Sequence, residues 1–547
     1  MKTIKFIIKN VNKFKNLFLI STFLLMISTI ISSIIPYTMK IMVDEGIVAS
    51  NKNMLFFLGL VNVVAYVLLT TTNYCAGYKA TVLSELSICN IKKELYNKIL
   101  HFPLDFFSDN EKGYILARIN EVNLIKNVLS LSTIKIIWSV VDFIITTIIL
   151  CSINYKIYFI TIINLPIYYF IVAKVIKRMT LIAGATIEQS ARANSSIQEI
   201  LNGISEVKSL GKENRESKKI DKINEEMSQL SIKQGMYLNA TTEILSLLTS
   251  IIIVGVLVIC GAQIINSNMT LGDYFAFSGY LPKIIAPVQQ LALSSMSLLP
   301  SYKALERVID FFYEESVNIE ETSDILTEQI EGKIKCNKLG YQYKGKYVFR
   351  DLSFTIMKGQ KVLLCGSNGS GKSTLIKILV GLYDNYSGEI FIDENDLKRI
   401  NKKSLIDRIG IVSQNIFLFN TTIKDNILYS TKGEVSDQEF YSAIYLSGVA
   451  EWCNKLPEGV NTMVGENGCL LSGGEKQMIA IARVIVRKPD LVIFDEATSN
   501  LDHKNTLLVL RNIMETFKDK TCIFVLHNIQ ERIQFDNIIN LNEKEEK

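Results

Sequence analysis

Zinc and disulfide spacings are missing from this chain. Its nine cysteines (Cys75, Cys89, Cys151, Cys260, Cys336, Cys365, Cys453, Cys469 and Cys522) are scattered without a CxxC or Cys/His pattern, several inside apolar runs. That argues against a disulfide framework or a structural zinc and leaves them as small, reduced core residues. A strong charge of one sign is missing as well: the net charge is +5 over 547 residues. Most Lys and Arg lie between apolar runs, so nucleic acid is not the expected partner, and the excess is expected to face cytoplasm and lipid head groups. Proline is scarce, at eight residues, and the accompanying richness in Ile, Lys and Asn carries no mechanism. No cleavable leader is expected: Lys2, Lys5, Lys9, Lys13 and Lys15 precede the first apolar run without the small-residue cleavage pattern, as for a retained span.

What the chain does have is length in two unlike parts. It exceeds what one hydrophobic core organises. Six apolar runs, at about 17–39, 54–75, 134–153, 157–176, 242–265 and 271–297, approach the ~20 residues that cross roughly 30 Å of hydrocarbon. The remainder has ordinary soluble composition. The expected layout is a transmembrane domain at 1–300, a linker at 301–332 and a soluble domain at 333–547. The long connections 76–133 and 177–241 carry most of the basic residues of the membrane half, whereas those near 40–53, 154–156 and 266–270 are short and weakly charged. This positive-inside pattern places the N-terminus in the cytoplasm. An even span count returns the soluble domain to the same side.

Both long connections alternate charged and apolar residues at helical spacing, as in SSIQEILNGISEVKSLGKENRESKKIDKINEEM, and are expected to continue the spans as helices beyond the bilayer. A solvated hairpin and a hairpin whose tip docks on the soluble domain both fit that pattern. Asp142 and Lys283 lie within apolar runs, and Pro282 and Pro287 bracket the lysine. Intramembrane charges are costly, so these two are candidates for a substrate path. The structural alternative is a snorkelling or mutually paired lysine.

The soluble part reads as phosphate chemistry. KVLLC (Lys361 to Cys365) runs into Gly366, Ser367, Asn368, Gly369, Ser370, Gly371, Lys372, Ser373 and Thr374, then into TLIKILVGL, giving strand, glycine-rich loop and helix in the context a P-loop requires. Its amides close around phosphates at a helix N-terminus, Lys372 reaches the terminal phosphates and Ser373 offers a hydroxyl to Mg²⁺. DLVIF delivers Asp495, for the metal, and Glu496, to polarise the attacking water. CIFVL ends at His527, a candidate contact to the γ-phosphate, whereas His101 and His503 are expected to have no such role. Three such strands fit an open parallel α/β sheet with its ligand at the carboxyl edge. Ser472, Gly473, Gly474 and Glu475 of LSGGE precede a helix and form an anion site with no use for the chain's own nucleotide. ATP on a second chain satisfies it, which implies a dimer.

In this order the motifs resemble an ATP-binding cassette half-transporter of the exporter type, over nearly the whole length. The resemblance implies an α-helical transmembrane domain of six spans with long cytoplasmic extensions, plus an α/β P-loop NTPase domain of the cassette type. It implies ATP and Mg²⁺ as ligands, with Tyr343 stacking on adenine and Gln414 of VSQNIFLF bridging the metal and the membrane domain. It gives Glu466 of MVGENG a contact to coupling helices and Asp502 of SNLD a role across the dimer. FPLDFFSDNEKGYILARI and SSIQEILNGISEVKSLG are similar to the two coupling segments, which favours the docking form of the hairpins, and GDYFAFSGYLPKIIAPVQQL is similar to the sixth span. Two departures stand out: Glu475 replaces a frequent glutamine, and the chain stops soon after FDNIINLNEKEEK, so the C-terminal end of the cassette is expected to be short and C-terminal dimer contacts are not expected from it. Nothing before the first run resembles a cysteine peptidase, so cargo maturation is not expected.

The implied activity is ATP-driven export of a peptide, lipid or amphipathic small molecule across a bacterial cytoplasmic membrane by alternating access. The partners are a second half-transporter, as homodimer or heterodimer, the bilayer and the cargo. A membrane-bound sensor or ATP-gated channel on the same scaffold is the alternative. Soluble tandem cassettes lack the spans, and importers usually place them on separate chains.

Overall fold

Apolar runs flanked by amphipathic, proline-poor sequence have one economical solution in lipid, the α-helix, because every backbone group is then satisfied within the segment. The computed structural model describes residues 2–110, 112–313, 325, 329–343, 345–526 and 534–542. They fall into two compact units, Met1–Leu100 with Asn110–Glu315 and His101–Asp109 with Ser316–Lys547.

The first half of the chain is helical throughout: α1 (Lys2–Asn12), α2 (Lys15–Ile41), α3 (Lys52–Leu100), α4 (Leu104–Asp109), α5 (Lys112–Ile125), α6 (Leu131–Ile162), α7 (Asn164–Asn202), α8 (Ile204–Ser209), α9 (Glu213–Ile265) and α10 (Leu271–Tyr313). Among the described residues four helical stretches are long and apolar enough to cross a membrane: Lys15–Val48, Lys52–Leu100, Gly113–Phe159 and Glu213–Ile265. The run 157–176 is shared by α6 and α7, and α10 covers 271–297. The expected connection near 154–156 is a break at Asn154 (φ −156°, ψ 99°). The Asn154 side chain accepts from the Lys156 and Ile157 amides at 3.1 and 3.3 Å and restarts the helix. Helix α3 continues past its apolar run to Leu100, about 38 Å of further helix. Large side chains on the outer faces, such as Phe56, Leu60 and Phe170, are exposed, as lipid-facing positions are.

Small residues let α2 and α10 approach closely. A Cβ on Gly279 would meet Pro36 Cβ at 2.9 Å, and one on Gly272 would meet Asp44 Oδ2 and the Lys40 carbonyl at 2.5 Å. At that end Asp44 accepts from the Gly272 amide (2.9 Å) and the Thr270 hydroxyl (2.8 Å), and Lys40 pairs with Asp273 at 2.6 Å. The first turn of α10 is thereby capped by Asp44, just beyond the end of α2.

The second unit holds two sheets. Strands β1 (Ile334–Tyr343), β2 (Lys346–Ile356), β4 (Tyr386–Ile392) and β5 (Asn395–Asp396) form an antiparallel sheet in the order β2-β1-β4-β5. Strands β3 (Lys361–Cys365), β6 (Ile409–Val412), β7 (Leu491–Asp495), β8 (Thr521–Val525) and β9 (Asn537–Asn540) form a parallel sheet in the order β6-β7-β8-β3-β9. Strands buried on both faces read as continuous apolar runs, and alternate side chains enter different cores. Val362, Leu364, Ile493 and Ile523 join the core under the antiparallel sheet and helix α11 (Lys372–Leu379). Leu363, Val492, Phe494 and Phe524 join the core with the helices that follow β6 and β7. These helices are α13 (Ile423–Leu428), α14 (Asp437–Leu446), α15 (Val449–Cys453), α16 (Gly473–Arg487) and α17 (His503–Thr516), whereas α12 (Lys402–Arg408) precedes β6 and its Leu405 joins the core under the antiparallel sheet.

Candidate functional site

The parallel order puts the P-loop strand β3 and the acid-pair strand β7 on either side of β8, so their loops leave the same edge. His527 lies outside the described residues; β8, which leads to it, ends at Val525. Strand β6 adds a fourth delivery, ending at Val412 two residues before Gln414.

The P-loop has the backbone a phosphate cradle needs. Gly369 and Gly371 have φ of +83° and +95°, the left-handed region that glycine enters without steric cost. A Cβ on Gly371 would meet Val348 at 2.6 Å and Phe349 at 2.8 Å. The buried Ser370 hydroxyl has no hydrogen-bond partner among the described residues. Lys372 Nζ donates to the carbonyls of Gly366 (2.7 Å) and Ser367 (3.0 Å), which leaves one of its three protons for a phosphate. Ser367 is tied to Asn542 Oδ1 through both its amide (3.1 Å) and its hydroxyl (3.0 Å). This fixes the start of the loop.

Two of the three expected metal ligands, Ser373 and Asp495, meet. Asp495 is buried and hydrogen-bonded by Ser373. Burial raises its carboxyl above the ordinary range; the Ser373 bond opposes this, Glu496 adds to it, and Lys372 and Lys377 oppose it. A hydroxyl, a carboxylate and an amide oxygen suit a hard divalent cation, so the donor set fits Mg²⁺. Glu496 has φ +52°, a strained value for a residue with a side chain. Its amide donates to the Val525 carbonyl at 3.0 Å, and its carbonyl accepts from Gln477 at 3.3 Å. Gln414 Nε2 donates to Glu496 Oε2 at 2.6 Å, joining the two motifs and leaving Gln414 Oε1 for a metal.

Ser472 is the N-cap of α16. Its hydroxyl accepts from the Glu475 amide (3.3 Å), and the Glu475 carboxylate accepts from the Ser472 amide (2.7 Å) and hydroxyl (2.8 Å). Glu475 therefore completes a capping box at the N-terminus of α16. A Cβ on Gly474 would lie 3.0 Å from the Asn500 carbonyl, so the glycines also let the SNLD loop approach. Asp502 caps α17 by accepting from the Asn505 amide at 2.7 Å. Glu466 lies in a 3₁₀ turn. The segment before that turn bonds to the segment after Gln414 through Ile423 N to Thr462 O (3.0 Å) and Val464 N to Thr421 O (3.1 Å). Tyr343, at the end of β1, is 39% exposed.

Sequence reasoning missed two organisers. Gln477 is fully buried; it donates to Ser499 Oγ at 3.0 Å and accepts from the Asn500 amide at 3.0 Å, holding the loop after Glu496 against the signature helix. Arg483 donates to the carbonyls of Asn426 (2.6 Å) and Phe417 (2.9 Å), tying α16 to the segment after Gln414. The available signal was a polar residue on the apolar face of KQMIAIARVIV. Of the segment Phe102–Ile119, similar to a coupling segment, the part after Asp109 belongs to the first unit and residues 102–109 to the second. Leu104 packs on that unit's core, Ser108 meets Tyr383 at 3.4 Å, and Asp105 accepts from Tyr341 at 3.5 Å.

In the first unit Lys283 and Asp142 pair at 3.1 Å. Lys283 also donates to Ser32 Oγ (2.8 Å), and Ser33 Oγ donates to Asp142 (3.1 Å). Of the two alternatives for Lys283, this is the paired one.

Two family models match the chain: the ABC transporter transmembrane region over residues 18–288, and the ABC transporter model over residues 349–499. An ATP-dependent lipid A-core flippase of Syntrophus aciditrophicus is 26% identical over 525 residues, covering 96% of this chain and 87% of that protein. A fatty acid ABC transporter ATP-binding/permease protein of Mycobacterium bovis is 27% identical over 455 residues, covering 83% and 72%. The solved structure of a bacterial Atm1-family ABC exporter with ATP bound superposes with a TM-score of 0.85 at 22% identity, covering 96% of this chain and 93% of that one, which establishes a shared fold. The chain belongs to the ATP-binding cassette transporters, as an exporter-type half-transporter in which a helical transmembrane domain is fused to an ATPase domain coupled to transport.

Proposed function

We propose that two copies of this chain export a lipid, peptide or amphipathic small molecule across the cytoplasmic membrane by alternating access. The hydrogen bond between Gln414 and Glu496 carries this reading, because it joins the water-polarising carboxylate to the segment that leads toward the coupling elements. Lys372 and the P-loop amides hold the phosphates of ATP. Glu496 orients and polarises the attacking water, with His527 beside the γ-phosphate. Ser373, Asp495 and Gln414 would hold Mg²⁺, which would supply charge neutralisation of the phosphates. Ser472, Gly473 and Gly474 of one protomer close on ATP held by its partner, so ATP binding joins the dimer and hydrolysis releases it. Both composite sites are complete in a homodimer.

The proposed topology has six spans with the N-terminus and the ATPase domain in the cytoplasm, supported by the basic residues of the long connections 76–133 and 177–241. Dimerisation is supported by α8 and its flanks, where Leu201, Ile204 and Leu210 are 63%, 43% and 69% exposed, as suits a segment that docks on a partner. Asp502 and Glu466 report nucleotide state across the dimer and to the coupling helices. Pairing of Lys283 with Asp142 leaves no net charge at that depth, so cargo is selected by amphipathic shape rather than by charge. Lipid and fatty acid in the names of two relatives support a lipid-like cargo. The test is ATPase stimulation in lipid discs across lipids, peptides and amphipathic drugs, with Glu496→Gln as the blank. Stimulation by one class with outward movement of that cargo is expected; ATP-coupled uptake, or conductance without net pumping, contradicts the proposal.

A further inference from the structure

Helix α1 has three faces, and only two of them are accounted for by the fold. Thr3, Phe6 and Asn10 are buried, with Phe6 against Phe312 at 5.5 Å and Thr3 within 3.5 Å of Tyr302. Lys5 and Lys9 are exposed, as suits the polar face of a helix lying in the membrane interface. The third stripe, Ile7, Ile8 and Val11, roofs a cavity of about 500 Å³. Leu83, Leu129 and Ile134, all nearly fully buried, are also in its wall. Its polar groups are few: Asn12, Lys15 and the Thr133 hydroxyl, which is already bonded to the Asn127 carbonyl at 2.8 Å. No carboxylate lines it. The neighbouring Lys13 is held by Glu94 and Asn90, and Lys126 by Glu85, whereas Lys15 makes no ion pair among the described residues.

We infer that this cavity is a binding site for an anionic phospholipid of the cytoplasmic leaflet, with an acyl chain among Ile7, Leu83, Leu129 and Ile134 and the phosphate against Lys15 and Asn12. An apolar chamber with one uncompensated cation at its rim matches a ligand that is apolar along its length and singly anionic at its head. A soluble anion has nothing to fill the chamber, and a zwitterionic lipid brings its own cation to Lys15. The bound lipid ties α1 to α2, α3 and the start of α6. The site rests on the membrane topology proposed above but not on the direction or identity of the cargo.

The test uses the full chain in discs of phosphatidylcholine with and without phosphatidylglycerol, and native mass spectrometry of the lipids that remain bound after extraction. Wild type is expected to retain phosphatidylglycerol over phosphatidylcholine by about fivefold, the effect of one lysine at an anionic surface. Lys15→Gln is expected to lose that preference, and Ile137→Trp, at the exposed wall of the cavity, to lose retention of both lipids. Neither residue belongs to the ATP site, so basal ATPase is unchanged. Equal retention of phosphatidylglycerol in all three proteins, or its displacement by inorganic phosphate at matched charge, overturns the assignment. A failure of the export proposal appears instead in cargo-stimulated ATPase and transport, which these variants leave intact.

Discussion

Breaking the Lys283–Asp142 pair is predicted to cost more than removing it. The two charges are 3.1 Å apart, with side chains 16% and 20% exposed. At an effective dielectric near 20 their attraction is about 5 kcal/mol, set against desolvation costs of several kcal/mol per ion. The net value of the pair is therefore small, but either charge left alone at that depth costs about 3 kcal/mol. Lys283→Met and Asp142→Asn are each expected to destabilise by about that amount, and the double variant by less than about 1 kcal/mol. The assay is unfolding in lipid discs, followed by circular dichroism and by reaction of a thiol dye with buried Cys260. Single variants as stable as wild type, or strictly additive losses in the double variant, refute the reasoning.

Gly371→Ala is expected to abolish nucleotide binding, measured with a fluorescent ATP analogue, because the new Cβ lands within 2.8 Å of Phe349 at a φ of +95°. Gln477→Ala leaves the Asn500 amide and the Ser499 hydroxyl without their partner. At about 1–3 kcal/mol per unsatisfied group, steady-state ATPase should fall at least roughly tenfold while nucleotide affinity changes little. Asp495 has a raised carboxyl pKa from burial. Its contribution to folding is thus present at low pH and lost as pH rises through the folded value. Asp495→Asn should raise the Tm of the nucleotide-free protein at pH 7.5, with the gain shrinking as pH falls toward the carboxylate range, and should lose Mg²⁺-dependent nucleotide binding.

The strand, loop and helix around Gly366 to Thr374 were legible because each motif is local: its glycines, lysine and flanking apolar runs are contiguous in sequence. The apolar runs were legible for the same reason, and even the break at Asn154 follows from weak hydropathy and a helix-starting side chain. Glu475 was legible as a departure from the family, but its work as half of a capping box follows from the S-x-x-E spacing. Long-range pairing was not legible. The antiparallel sheet that carries Tyr343 joins β1 to strands on both sides of the P-loop helix, and no local pattern specifies that order. The roles of Gln477 and Arg483 depend on partners near Ser499 and Asn426 that no local pattern specifies. The α2–α10 seam depends on Gly272 and Gly279 meeting residues more than 200 positions away.

The central claim is that Glu496, positioned by Gln414, is the group that activates water on ATP shared between two chains. Steady-state ATPase of Glu496→Gln, measured together with retention of ATP by the dimer, tests it most directly. The account predicts a loss of about 10² to 10⁴ in turnover, with ATP-bound dimers accumulating. Near-normal hydrolysis, or lost hydrolysis without a trapped dimer, contradicts it.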